Sequence, residues 1–241
     1  MSRPSIIAID GPAASGKTTL ARRIADILGY LYFDTGLMYR AVTLIALERG
    51  LDISDEPAMS DLAAGLLIDV QRSPGIDRKP SFIYVNGRDV SAHLRTAKVD
   101  ANVSAVSAIK GVREALTRQQ RRVGERGHVV VVGRDIGTVV FPQADLKLYL
   151  DASVEERARR RWKDFQNQGH DEAYQNVLEA MRERDRKDSA RAVAPLMPAS
   201  DAILIDTTNV ELADLIEQVM SLISDMNEEE TPAQEGNKDG A

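Results

Sequence analysis

Gly11-Pro-Ala-Ala-Ser-Gly-Lys-Thr18 stands between the apolar run Ser5-Ile-Ile-Ala-Ile-Asp10 and a helical pattern over Lys17–Leu28. A G-x-x-x-x-G-K-T octet between strand and helix is the signature of a phosphate-binding loop. Gly11 and Gly16 let the backbone curl so that successive N–H groups point inward at phosphate oxygens, and the following helix turns its positive N-terminal end on the same anion. Lys17 is placed to reach the β- and γ-phosphates and Thr18 a magnesium ion. The cofactor-binding stretch is therefore read as Gly11, Pro12, Ala13, Ala14, Ser15, Gly16, Lys17, Thr18 and Thr19, and its ligand as a nucleoside triphosphate.

Composition narrows the class. The 241 residues are 43% hydrophobic, enough for one sizeable core with an inserted subdomain. The chain has no cysteine, which excludes a disulfide framework, a zinc-thiolate site and a thiol nucleophile. No basic leader and no membrane-length apolar run is present, so a cytoplasmic protein without a membrane partner is expected. The net charge of −6 is concentrated at the end, where Asp225–Ala241 contributes −5. The body is close to neutral, which argues against nucleic acid as a partner. Residues 227–241 have almost nothing apolar to bury and are expected to form a disordered acidic tail.

Short apolar runs at Ser5–Asp10, Leu31–Asp34, Val129–Val132, Leu146–Leu150 and Ile203–Asp206 predict strands buried on both faces. Helical patterns over Lys17–Leu28, Gly36–Arg49, Ile109–Glu125, Val154–Gln168 and Val210–Met226 separate them. This alternation predicts an α/β fold, a parallel sheet flanked by helices, with ligands at the carboxyl ends of the strands. Two regions break the pattern. Leu66–Arg72, a Ser73-Pro-Gly75 turn, Ser81–Val85, Asn86-Gly87 and Arg88–Val90 predict a small antiparallel sheet. Glu155–Arg191 carries eight arginines, with a Gln168-Gly-His170 break between two helices.

A phosphate loop alone does not choose among GTPases, motor or transport ATPases and small kinases. The base-reading Asn-Lys-x-Asp of GTPases is absent from any useful position, and no long apolar strand ends in Asp-Glu. The abundant arginines suit phosphoryl transfer between two anionic reactants, whose mutual repulsion needs cations to offset it.

Further motifs follow in order along the chain: Asp34-Thr-Gly-Leu-Met-Tyr-Arg40, Val112-Arg-Glu-Ala-Leu116, Gly133-Arg-Asp-Ile-Gly-Thr-Val-Val-Phe-Pro142, Leu150-Asp-Ala-Ser153 with Glu156-Arg157, and Arg184-Asp185 leading to Arg191-Ala-Val-Ala-Pro195. With the phosphate loop, these resemble the bacterial cytidylate kinase family from about Ile6 to Met226. The resemblance implies a phosphate-loop NTPase sheet like that of adenylate kinase, with an inserted monophosphate-binding subdomain at about 40–108 and a lid at about 155–191, all within a domain spanning 1–226. It implies ATP with magnesium as donor, CMP and dCMP as acceptors, and a monomer.

Residue by residue, the resemblance assigns Ser104, Arg113 and Asp135 to the cytosine ring. A carboxylate suits the exocyclic amine of cytosine and would repel the carbonyl of uracil. Arg40, Arg134 and Arg191, with Thr35, match positions that hold the acceptor phosphate, for which the guanidinium fork is suited. Arg184 and Asp188 match lid-side positions near the sugar, and Arg160 is the arginine assigned to the triphosphate, with Arg157 and Arg161 as rivals. Lys17, Arg134, Arg160, Arg184 and Arg191 form the expected catalytic set. Asp34 also suits a capping role for the helix at Gly36. His93, His128 and His170 lack metal-ligand spacing, and Trp162 is read as packing at the lid base. A kinase of the same fold with another acceptor, such as UMP, AMP or a small metabolite, and a non-catalytic nucleotide switch stay open as alternatives.

Overall fold

The structure is a computed structural model that describes residues 3–71, 81–167, 169, 171–191 and 193–229. In chain order, strand β1 (Ile6–Asp10) leads through the phosphate loop into helix α1 (Lys17–Leu28), then β2 (Leu31–Asp34) and α2 (Gly36–Glu48). Next come α3 (Glu56–Gly65), β3 (Ile68–Gln71), β4 (Phe82–Val85), β5 (Arg88–Asp89), α4 (Ala97–Val106) and α5 (Lys110–Gly124). Strand β6 (Val129–Val132) runs into a π-helical turn, Ile136–Val140, followed by β7 (Leu146–Asp151), α6 (Val154–Asn167), α7 (Tyr174–Ser189), β8 (Ile203–Asp206) and α8 (Leu212–Glu229).

Five strands form one parallel sheet in the order β2-β6-β1-β7-β8. The expected runs become these strands, covered on both faces in β1 and β6; the expectation fails at the edge strand β8, where Ile203, Leu204 and Asp206 are exposed and only Ile205 is buried. Ile7 and Ile9 pack with Val130 and Val132 on the α1 and α8 side, while Ala8 packs with Val129 and Val131 on the α2 and α5 side. The period of two along each strand thus divides its side chains between two cores. Helix α1 stops at Gly29, whose positive φ of 73° lets its N–H reach the carbonyl of Ala25. Helices α6 and α7 pack on each other through Ala158, Val177, Leu178 and Met181, a third and smaller core.

The antiparallel sheet β3-β4-β5 forms where the hairpin signal predicts it, with Asn86 and Gly87 at positive φ between β4 and β5. Two helices were not expected. In α3 the Asp55 carboxylate accepts the Ala58 N–H at 3.0 Å, and in α4 the Thr96 hydroxyl accepts that of Val99 at 3.4 Å. At the other end, α8 continues to Glu229, so the first three residues of the expected tail, Asn227 to Glu229, are helical. Asn227-Glu-Glu contains no helix breaker ahead of Thr231-Pro232. Residues 230–241, the Ser73-Pro-Gly75 turn, Gln168 and His170 lie outside the described residues.

Candidate active site

The phosphate loop follows β1, the Asp34–Thr35 segment ends β2 and the Arg134–Asp135 segment follows β6, so these three lie at the carboxyl ends of neighbouring parallel strands. Gly11 leaves β1 with a φ of 140°, and a Cβ there would sit 1.9 Å from the Leu150 carbonyl oxygen. Only glycine fits. Ala14 (φ 61°) and Gly16 (φ 94°) complete the curl. Helix α1 starts with neither a side-chain cap nor an acidic residue in its first turn, so its exposed N–H groups and positive end remain available to an anion. Lys17 lies across the loop, donating to the Pro12 carbonyl at 2.5 Å and to Ser15 Oγ at 3.3 Å. Burial, then the charge of Arg134, pushes the Lys17 ammonium down to about 7, and Arg184 adds to the effect. A cation so penalised calls for an anion beside it. Among the described residues no cluster of three metal-ligating side chains occurs. Thr18, in the first turn of α1, offers a hydroxyl oxygen of the kind a magnesium ion would take beside substrate phosphates and water.

Helix α5 and the segment after β6 bring Arg113 and Asp135 into an ion pair with both side chains buried. Arg113 also donates to the Ser107 carbonyl at 3.1 Å and lies 5.5 Å over the ring of Tyr39. Burial above all raises the Tyr39 hydroxyl to about 12. Ser104 is exposed on α4, where its carbonyl accepts from the Ser107 hydroxyl, and the hydrogen bonds of Arg113 go instead to the Ser107 carbonyl and Asp135. Arg40 donates to Asp100 at 2.5 Å and to the Leu94 carbonyl at 3.0 Å. The Thr35 hydroxyl, buried, gives its proton to the Val132 carbonyl at 3.0 Å, and the Asp34 carboxylate accepts the Gly36 N–H at 3.0 Å.

Asp188 joins two elements. Its buried carboxylate accepts from both Arg134 and Arg191, with Arg184 Nε at 3.9 Å. Helix α7 ends at Ser189, yet Arg191 still reaches back to Asp188. Burial, followed by Arg184 and Arg191, lowers the Arg134 guanidinium to about 9. Burial and then Arg40, Arg161 and Arg191 lower Arg184. These arginines lie close enough to repel one another, and a bound phosphate would relieve that repulsion.

From α6, two of the three rival arginines touch the loop. Arg160 donates to the Ala14 carbonyl at 3.4 Å and, through Nη2, to the Thr207 carbonyl at 2.5 Å. Arg157 is buried, paired with Asp185 at 2.7 Å, and bonds the Ala152 carbonyl at 2.8 Å and the Ala13 carbonyl at 3.4 Å. That makes it a brace. Arg161 lies over the ring of Phe165 at 4.5 Å. Trp162 packs edge-on against Tyr174 and donates to the Glu172 carbonyl at 2.9 Å, in keeping with its expected packing role.

The sequence model of the cytidylate kinase family matches residues 7–225. The chain belongs to the cytidylate kinase family. It is 48% identical over 219 residues to a bifunctional pantoate ligase/cytidylate kinase of Trichormus variabilis, covering 90% of this chain and 41% of that protein. Thus it spans less than half the length of that relative. It is 43% identical over 223 residues to the cytidylate kinase of Bacillus licheniformis, covering 92% of this chain and 97% of the other. A solved structure of an uncharacterized protein from Eubacterium ventriosum shares the fold at a TM-score of 0.50 and 11% identity, over 91% of this chain and 98% of that one. No helix among the described residues is long and apolar enough to cross a membrane.

Two residues of this cytidylate kinase fold escaped the sequence reading. Thr207 is buried just beyond β8, where its hydroxyl lies 3.0 Å from the Ser15 carbonyl and Arg160 Nη1 donates to it at 3.2 Å. Asp10, the last residue of β1, is 4% exposed, and burial raises its carboxyl to about 6 against the pull of two backbone N–H groups. For Asp10 the available signal was a polar residue ending an apolar strand, and for Thr207 a hydroxyl directly after one.

Proposed function

We propose that the chain transfers the γ-phosphoryl group of ATP to a 5′-phosphate oxygen of CMP or dCMP, giving ADP and CDP or dCDP. The observation that carries this reading is the buried Arg113–Asp135 pair, set beside the converging guanidinium groups of Arg134 and Arg191. The pair presents a carboxylate acceptor and a guanidinium donor, the complement of the cytosine edge, and the neighbouring arginines suit the phosphate of the same nucleotide. A non-catalytic switch would have no use for this second set of residues.

Little covalent help is needed. A phosphate oxygen at neutral pH is already a nucleophile, so rate comes from positioning and from charge aimed at the transferring group. Lys17 and the α1 N-terminus hold the donor phosphates, Arg160 approaches from the lid side, and Arg40, Arg134 and Arg191 orient the acceptor phosphate. Asp188 and Arg184 are assigned to the sugar end. Magnesium, when bound with the nucleotide beside Thr18, offsets charge on the β- and γ-oxygens. Approach of α6 and α7 as a lid would exclude water that competes for the phosphoryl group. A monomer is the form that the family resemblance implies, and a cytoplasmic location is the expectation that accompanies it.

The test is product identification. Chromatography of protein incubated with ATP, magnesium and CMP should give CDP and ADP in equal amounts; ADP without CDP, or neither, would contradict the reading.

A further inference from the structure

Arg134 and Asp135, with Gly133 before them, form the three-residue link between β6 and the π-turn, and the pair is tied to β1 on both sides. Before it, the Gly133 N–H donates to the Ile9 carbonyl at 3.2 Å. After it, the Ile136 N–H donates to Asp10 Oδ1 at 2.8 Å and the Gly137 N–H to Asp10 Oδ2 at 2.7 Å. Ile9 and Asp10 are the last two residues of β1, and Gly11, which opens the phosphate loop, comes next. One strand end therefore holds the donor loop on one side and the acceptor-facing span on the other.

The chemistry of Asp10 suits this use. The π-turn receives no side-chain cap from Asp135, the residue that precedes it, so its first N–H groups need an outside acceptor. A carboxylate offers one oxygen to each. Elsewhere on β1, Ile7, Ala8 and Ile9 are fully buried and apolar, and a buried carboxylate at the end of such a strand is costly unless its partners require it. Asp10 also faces Lys17 and favours its charged form. Asp135 repels it, so the two carboxylates are kept together by the backbone donors and not by attraction.

We propose that Asp10 is a positioning residue that fixes Arg134 and Asp135 relative to the phosphate loop, setting the acceptor's base and phosphate in register with the donor. The inference rests on the acceptor reading given above for Arg134 and Asp135. Nothing in it requires Asp10 to touch either nucleotide.

The test is D10N, which is nearly isosteric but loses one acceptor and turns an amide N–H toward a backbone N–H. The KM for CMP should rise at least about tenfold, and the CMP-over-UMP ratio of kcat/KM should fall by a similar factor, while the KM for ATP stays within about threefold. An unchanged KM and ratio for CMP, or an equal loss for CMP and ATP, would overturn the proposal. If D10N lacks a cooperative melt, the wild-type protein decides by NMR. Ile136 and Gly137 amide resonances that shift with ATP and magnesium alone support the brace, and resonances that stay put overturn it. Wild-type protein that forms no CDP would contradict the acceptor reading instead, and the amide measurement would still judge the brace.

Discussion

Asp135 holds the guanidinium of Arg113 in an ion pair in which both side chains are buried. In the free protein these two proposed base-reading groups satisfy one another, so cytosine must be recognised by joining or replacing an existing interaction. Arg113→Ala leaves a buried carboxylate without its partner and is expected to cost about 3–5 kcal/mol, seen as a drop of roughly 10 °C in Tm. Asp135→Asn keeps the volume and adds a donor that uracil can use. Its CMP-over-UMP ratio of kcat/KM should fall at least about tenfold. An unaltered ratio would remove Asp135 from base recognition.

Lys17 makes triphosphate binding pH-dependent. Its ammonium is pushed down from 10.5 to about 7 in the free protein, whereas a bound triphosphate favours the charged form. Above pH 7 binding must therefore take up a proton, and affinity should weaken as pH rises from about 7 toward the bound-state value. Calorimetry at about pH 8 in two buffers of different ionisation enthalpy should register uptake of up to one proton, and Lys17→Ala should abolish it. The sign for folding is opposite. Between about 7 and 10.5 the unfolded chain holds the proton that the folded chain has lost, so this group's contribution to stability increases with pH across that window. Turnover of Lys17→Ala should fall by about 10²-fold or more.

Asp188 binds the same two arginines, Arg134 and Arg191, that are proposed to bind the acceptor phosphate. Asp188→Ala leaves them facing each other without an anion between, at an expected cost of about 3–5 kcal/mol. Inorganic phosphate should then restore part of the loss. Thermal melts with and without phosphate should show a larger upward shift for the variant than for the wild type, and equal shifts would contradict the shared-site account.

Much of this arrangement was legible in the sequence because the signals were local. The phosphate loop announces itself by spacing, and the five parallel strands by short runs such as Val129–Val132, which read apolar without alternation because both faces are covered. Helices α3 and α4 were missed because each buries few side chains, Met59, Leu62 and Ala63 in one and Val99 and Val106 in the other. Their caps, Asp55 and Thr96, were the readable clues. The pairing of the arginines could not be read from local pattern. Arg113 meets Asp135 across 22 residues, Arg134 meets Asp188 across 54, and Asp10 meets Ile136 across 126. The family resemblance supplied the residues, but only the fold reveals which carboxylate each guanidinium holds in the free protein.

The central claim, cytosine-selective phosphoryl transfer, is tested most directly by coupled ADP release with ATP and magnesium, offering CMP, dCMP, UMP and AMP in parallel. The account predicts fast release with CMP and dCMP and little with UMP or AMP. Comparable release with UMP or AMP would contradict the assignment of Arg113 and Asp135, and no release with any acceptor would contradict the kinase itself.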